Sequence, residues 1–133
     1  MSGDLFDSHA LLAFFQNEPG AETVAEILRA SMKQDRDRFI NMINVGEILY
    51  LTKRRFGDAK KLEILSRIHQ LGFQLLSVSD ALVFQAAEYK AQFAMSYADC
   101  FALASAIEHG AALITGDPEF EAVSHLVKIE WIR

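Results

Sequence analysis

Short apolar runs alternate along the chain with longer stretches in which apolar residues recur every three or four positions. The short runs predict buried strands, and the periodic stretches predict amphipathic helices. The predicted strands are residues 4–7, 39–43, 73–78, 111–115 and 127–132. The predicted helices are residues 10–15, 21–34, 44–56, 58–71, 80–93, 97–109 and 118–123. Because helices separate the strands, we expect a three-layer α/β/α sandwich with a central parallel sheet.

Composition predicts one folded domain over residues 1–133. Hydrophobic residues make up 51% of the 133 positions and charged residues 23%, which is typical of a folded soluble protein. This mixture excludes a disordered tail, a collagen-like chain and a disulfide-stapled miniprotein. The single cysteine, Cys100, excludes an intrachain disulfide and a zinc site built from several thiolates, and we expect it to be a buried structural thiol.

Two further features predict a cytoplasmic protein that does not engage a membrane. The first residues lack the basic segment and apolar stretch of an export signal. No apolar run approaches the roughly 18–20 residues that a membrane-spanning helix needs.

Charge is distributed unevenly around a formal net value of -5. Residues 29–67 carry ten Lys or Arg against five acids, whereas residues 68–133 carry three against eight. The middle third is therefore the one segment whose sequence suits contact with a polyanion. A solvated helical face explains the same pattern equally well.

Two acidic residues follow predicted strands. Asp7 closes the first strand, and Asp117 follows the strand at 111–115. Ligands of open α/β sheets bind beyond the carboxyl ends of the strands, so acids at these positions are candidate functional residues. Both also have a structural explanation, because Asp is a common helix N-cap and Asp117 precedes Pro118 at a helix start.

Two other acids lie near the starts of predicted helices. Glu47 follows Asn44 by three residues, which places both side chains on one helical face. An exposed glutamate that interacts with the positive helix start is the alternative for Glu47. Asp99 shares a face with Ala102 and Ala106, where a closely packed carboxylate is costly unless it is paired or binds a metal.

Four carboxylates at one edge of a sheet would repel each other unless a cation lies between them. An all-oxygen ligand set with no cluster of His or Cys suits Mg²⁺ or Mn²⁺, which also bind phosphate oxygens. The hydroxyl groups of Ser8 and Thr115 are placed to orient a carboxylate. The sequence thus points towards a metal that orients a water for attack on a phosphoryl group.

The motifs that several other enzyme classes require are absent from the sequence. The chain has no phosphate-binding glycine loop, nucleophile elbow or zinc-protease motif. A phospho-aspartate receiver would need an acidic pair at the first strand end, where Phe6 precedes Asp7, and a dehalogenase-like phosphatase would need an aspartate at His9. His69, His109 and His125 are scattered, and His9 alone lies close to a candidate acid.

Four segments together resemble PIN-domain nucleases, and within them the VapC-like toxins of prokaryotic toxin–antitoxin pairs. In chain order they read LFDSHALLAFFQNEPGAE, INVGEILY, SYADCFALASA and LITGDPEF. The resemblance implies that Asp7, Glu47, Asp99 and Asp117 are the catalytic and metal-binding acids. It places Ser8, Asn44 and Thr115 at the accompanying polar positions, and it leaves the role of His9 open.

The resemblance also implies an activity and partners. These are a Mg²⁺- or Mn²⁺-dependent endoribonuclease, an RNA substrate, a cognate antitoxin and a homodimer. Lys53, Arg54 and Arg55 are the residues that we expect to contact RNA. The alternative is a catalytically inactive PIN-like module that binds RNA or a partner protein.

Overall fold

The computed structural model describes residues 3–133, in which two α-helices follow each of the first three strands. The strands are β1 (Asp4–Phe6), β2 (Arg38–Asn41), β3 (Gln74–Leu76), β4 (Ala112–Thr115) and β5 (Ile129–Trp131). The α-helices are α1 (Ser8–Phe15), α2 (Ala21–Lys33), α3 (Met42–Phe56), α4 (Asp58–Gln70), α5 (Asp80–Gln92) and α6 (Tyr97–His109). A short 3-10 helix, Pro118–Val123, follows β4.

All strand pairs are parallel, and the strand order is β3-β2-β1-β4-β5. The chain builds outward from β1 to β3 and then returns to the other side of β1 with β4, so the strand order reverses between β1 and β4. Phe6 lies opposite Ile114 in the register of these two strands. Residues that follow β1 and β4 are therefore brought together at the point where ligands bind in such sheets.

The sheet is covered on both faces, which confirms the predicted α/β/α sandwich. Successive residues of a strand point to opposite faces, and the two cores follow this alternation. Leu5 and Leu113 pack with residues of α5 and α6, whereas Phe6 and Ile114 pack with residues of α1 to α4. Burial of these apolar side chains on both faces supplies the main force that holds the helices on the sheet.

The largest difference from the predicted elements is at the end of β2. Residues 42 and 43, predicted as strand, form the first turn of α3. Asn41 causes this early start, because its side chain caps the helix by accepting a hydrogen bond from the Ile43 N–H at 2.8 Å. The strands predicted at 73–78 and 127–132 are also shorter than expected, since only their central residues pair with a neighbour.

The small residues of α6 allow this helix to pack closely in the interior. Ala102, Ala106 and Cys100 are fully buried, as the sequence predicts for Cys100. Asp4 lies at the opposite end of β1 from the predicted site, where it pairs with Arg36 at 2.9 Å. Over residues 3–133, the helices are too short or too polar for any of them to cross a membrane.

Candidate active site

Asp7 lies directly after β1 and is fully buried. It is the N-cap of α1, because its Oδ1 accepts a hydrogen bond from the Ala10 N–H at 2.8 Å. Its Oδ2 accepts a hydrogen bond from the Thr115 hydroxyl at 2.5 Å. Burial raises the pKa of Asp7 to about 7, although both hydrogen bonds act in the opposite direction. Asp7 therefore caps α1, as the sequence predicts, and the same side chain contacts β4 at the candidate site.

Three carboxylates meet beside the end of β4. Asp99 lies in the first turn of α6, Asp117 caps the 3-10 helix and Glu119 lies in its first turn. One carboxylate oxygen from each lies within 4.8 Å of the others. Ser96 joins the two helix starts, because its hydroxyl accepts from the Asp99 N–H at 3.1 Å and its own N–H donates to Glu119 at 3.2 Å. These hydrogen bonds hold the start of α6 against the Glu119 side chain of the 3-10 helix.

Negative charge dominates the electrostatics of the cluster. Burial raises the pKa of Asp99 well above its ordinary value, and the adjacent Glu119 and Asp117 carboxyl groups raise it further. Asp7 also raises the pKa of Asp99, and the charges of Asp117 and Glu47 raise that of Asp7. Asp7, Asp99 and Asp117 thus interact electrostatically with one another, and Glu47 interacts with Asp7. A cation would relieve this repulsion.

Glu47 lies on α3 and is not a member of the carboxylate cluster formed by Asp99, Asp117 and Glu119. The Ser8 hydroxyl donates a hydrogen bond to Glu47 Oε1, which ties the first turn of α1 to α3. Ser8 is buried, whereas Glu47 is half-buried. The two hydroxyl groups predicted to orient carboxylates, those of Ser8 and Thr115, therefore each contact a different acid.

Asn44 lies on α3, where its fully buried side chain faces the start of α6. Its Nδ2 donates to the Ala98 carbonyl oxygen at 3.4 Å, next to Asp99. Within residues 3–133, its Oδ1 is buried without a hydrogen-bond partner. A buried carbonyl oxygen without a partner is costly, and a water or another donor bound at the acidic site would satisfy it.

The arrangement fits a hard divalent cation. Asp99, Asp117 and Glu119 offer carboxylate oxygens, which are the ligands that Mg²⁺ and Mn²⁺ prefer. Burial raises the pKa values of Asp7 and Asp99 and the neighbouring acids raise them further, so a bound cation would stabilise the ionised carboxylates. The unpartnered oxygen of Asn44 adds an acceptor for the hydration shell that such ions keep.

The three adjacent basic residues at the end of α3 each contact a different partner. Lys53 pairs with Asp58 at 3.2 Å on the protein surface. The Arg54 guanidinium lies 5.2 Å from the centre of the Tyr50 ring. Arg55 reaches back to the segment after α1. The structure therefore divides the predicted RNA-contact cluster into one lysine at the start of α4 and two arginines near α1.

Sequence reasoning missed two residues of the site. Glu119 is predicted only as part of a helix start, yet its carboxylate joins those of Asp99 and Asp117. Its two-residue separation from Asp117 is the signal that could have found it. Asn41 caps α3 and donates to Ser105 at 2.9 Å, which fixes α3 against α6. Its position at a strand end is hidden in the sequence because the apolar run continues to residue 43.

Gly116 allows His9 and Ile132 to approach the site closely. A Cβ atom at Gly116 would lie 2.7 Å from His9 Cε1 and 2.9 Å from Ile132 Cγ1. We expect Gly116→Ala to lower the free energy of unfolding by about 1–3 kcal/mol, the usual cost of overpacking. Urea unfolding measures this change.

The matched control is Gly46→Ala. Gly46 lies within α3, and a Cβ there meets nothing within 4 Å. This substitution should raise stability by about 0.5–1 kcal/mol, because Ala favours the helix more than Gly does. Equal effects of the two substitutions would show that crowding at Gly116 has no energetic consequence.

The chain matches one known protein family over most of its length. The PIN domain family matches residues 5–126 of the chain. Among curated proteins, none is similar enough in sequence to give a match.

Solved structures of similar shape cover nearly the whole chain. DNA-bound VapBC from Salmonella typhimurium has a TM-score of 0.75 at 15% identity, covering 100% of both chains. VapBC2 from Rickettsia felis, bound to a promoter DNA fragment, has a TM-score of 0.76 at 14% identity, covering 96% of both. VapC20 from Mycobacterium tuberculosis, a toxin that cleaves the sarcin-ricin loop, has a TM-score of 0.69 at 17% identity, covering 91% of this chain and 95% of that one. At these identities the likeness establishes the fold.

Proposed function

Because the chain belongs to the PIN domain family, we propose that it is a Mg²⁺- or Mn²⁺-dependent endoribonuclease that acts in the cytoplasm as the toxin of a toxin–antitoxin pair. The observation that carries this proposal is the meeting of Asp99, Asp117 and Glu119 beside the buried Asp7, at the point where the strand order reverses. A carboxylate-rich site at this position suits hydrolysis of a phosphodiester assisted by a divalent cation.

The proposed roles follow from the contacts of each side chain. Asp99 and Asp117 would hold the cation together with Glu119, and Asp7 and Glu47 would complete the acidic site as further metal-binding or catalytic groups. A bound divalent cation would supply the positive charge that admits a phosphate group to an anionic site and stabilises charge developing on its oxygens.

The polar residues would keep this acidic site in order. The Thr115 hydroxyl orients Asp7 and accepts a hydrogen bond from the Asp117 N–H at 3.0 Å, so one side chain positions two of the acids. Ser8 orients Glu47 in the same way. Asn44 would accept a hydrogen bond from water in the site through its unpartnered Oδ1.

Two kinds of similar structure support the substrate and the partner. VapC20 is a toxin that cleaves the sarcin-ricin loop, which favours RNA as the proposed substrate of this chain. A toxin–antitoxin complex from Klebsiella pneumoniae also has a similar fold, with a TM-score of 0.71 at 18% identity, covering 98% of both chains. A cognate antitoxin is therefore the proposed protein partner. Homodimer formation remains a prediction, which light scattering of the purified protein in solution tests.

Cleavage of RNA by the purified, antitoxin-free protein is the direct test. Incubation of total cellular RNA with Mn²⁺ or Mg²⁺ should yield discrete fragments, and EDTA should abolish them because it removes the cation. Sequencing of the fragment ends would identify the cleaved RNA. Restoring excess Mn²⁺ after EDTA is the control, since it should restore the same fragments.

Two outcomes would contradict the proposal. Fragments that persist in EDTA would exclude the metal-dependent site as their source. Metal binding without cleavage of any RNA in the pool would favour the inactive binding module instead.

A further inference from the structure

A pocket of about 420 Å³ lies between α1 and the end of α3, beside the acidic site. Leu12 and Leu51 give it an apolar wall. Its polar edges are formed by His9, Gln16, Glu18, Arg54 and Arg55. Its volume lies in the range of pockets that hold small ligands. The pocket thus combines an apolar surface with charged groups. His9, two positions after Asp7, forms one of its edges.

Arg54 is the cation of this pocket that is open to a ligand. Arg55 is engaged by Gln16 at 3.1 Å and by Glu18 at 3.8 Å. In the part of the chain that the structure describes, Arg54 forms no ion pair with a carboxylate and instead stacks on Tyr50. Tyr50 is itself 50% exposed. A flat cation supported on a ring can hydrogen-bond a phosphate or stack on a base.

His9 connects the pocket to the acidic site. Its ring packs against Gly116, which lies between Thr115 and Asp117. In the described residues, His9 Nδ1 is buried without a hydrogen-bond partner. His9 therefore lines the pocket and also packs against the segment that leads to Asp117, so a ligand in the pocket would contact a residue next to the acidic site.

We propose, on the premise that the chain cleaves RNA, that this pocket binds one unpaired nucleotide of the RNA next to the bond that is cut. The apolar wall of Leu12 and Leu51 suits a base, Arg54 suits its phosphate, and His9 offers a hydrogen bond at the side facing the acids. Single-stranded RNA is recognised by this combination of stacking surfaces and cations, whereas a base within a duplex would not reach the pocket. An acidic peptide would pair with Arg54 but would leave the apolar wall of Leu12 and Leu51 uncovered.

Binding measured without divalent metal tests the proposal independently of cleavage. The probe is a fluorescein-labelled single-stranded RNA hexamer of mixed sequence, and its anisotropy is followed in EDTA. Arg54→Ala should weaken binding about tenfold or more, because it removes both a phosphate contact and a stacking group. Arg29→Ala is the matched control. Arg29 is exposed on α2 and pairs weakly with Glu22 at 3.9 Å, so this variant should weaken binding less than about twofold.

A second readout locates the RNA at the pocket. In NMR spectra, the ring resonances of His9, assigned with the His9→Gln variant, should shift when the hexamer is added to the parent protein. Those of His69, which is exposed on α4, should not shift.

Each outcome bears on a different part of the proposal. Equal losses of affinity in the Arg54 and Arg29 variants, or a stationary His9 signal, would overturn the subsite. RNA affinity unchanged by Arg54→Ala would also overturn it and leave a polypeptide as the occupant. RNA that binds at His9 but is never cut would retain the subsite and refute the nuclease.

Discussion

Replacement of Asp99 with asparagine should reduce RNA cleavage at least about 100-fold while the protein stays folded. Loss of a residue that merely supports a metal ligand typically costs about 10–100-fold in metal affinity or activity, and loss of a direct ligand should cost more. The asparagine side chain keeps the size of the aspartate but cannot carry the negative charge that the cation needs. Cleavage of the RNA identified in the total pool, measured at saturating Mn²⁺, gives the rate, and circular dichroism verifies the fold.

Asp80→Asn is the matched control for this loss of one charge. Asp80 also lies in the first turn of a helix capped by serine, since Ser79 caps α5 as Ser96 caps α6. Asp80 is exposed and belongs to no carboxylate cluster among residues 3–133. Its substitution should leave cleavage within about twofold of the parent, as surface substitutions usually do. Undiminished cleavage by the Asp99 variant would refute the role of the acidic cluster.

The positions of the main acids followed from sequence because strand ends are readable. Apolar runs ending at Phe6 and Thr115 predicted two strands, and a parallel sheet brings their carboxyl ends to one edge. Asp7 and Asp117 could therefore be expected at the same place from the sequence alone. The small residues around Asp99 likewise indicated a carboxylate in a closely packed interior.

Glu119 and the basic residues of α3 could not be placed in the same way. The position of the Glu119 side chain depends on the hydrogen bond from the Ser96 N–H, which joins residues 23 positions apart. Lys53, Arg54 and Arg55 are adjacent in sequence, but neighbours on a helix point in different directions. Their separate partners, Asp58, Tyr50 and Glu18, depend on tertiary packing.

Burial of an acidic site lowers the stability of the fold. Asp7 is fully buried, yet only a hydroxyl and an amide N–H stabilise its negative charge within the described contacts. Such a carboxylate keeps its proton until near neutral pH, as the raised pKa indicates. The protein without metal should therefore be less stable when Asp7 is ionised than when it is neutral.

Asp7→Asn should consequently stabilise the metal-free protein at neutral pH while abolishing cleavage. The pKa of Asp7 is about 7 in the folded state and 3.8 in its ordinary state. Between these values the folded protein binds the proton more tightly, so rising pH lowers the free energy of unfolding by up to about 1.4 kcal/mol per pH unit. An asparagine side chain at this position does not ionise and can still cap α1, so the variant avoids this loss.

The advantage of the variant should be small below about pH 4 and should reach a plateau above pH 7, at up to about 4 kcal/mol. Urea unfolding of both proteins in EDTA at about pH 4.5 and about pH 7.5, one near each end of this range, measures it. Mn²⁺ provides the control at the higher pH, because a ligand bound only by the folded state should stabilise the parent and reduce the difference. If the variant were less stable than the parent in EDTA at the higher pH, the charge of Asp7 would be stabilising the fold. The acidic site would then impose no energetic cost through Asp7 on the metal-free protein.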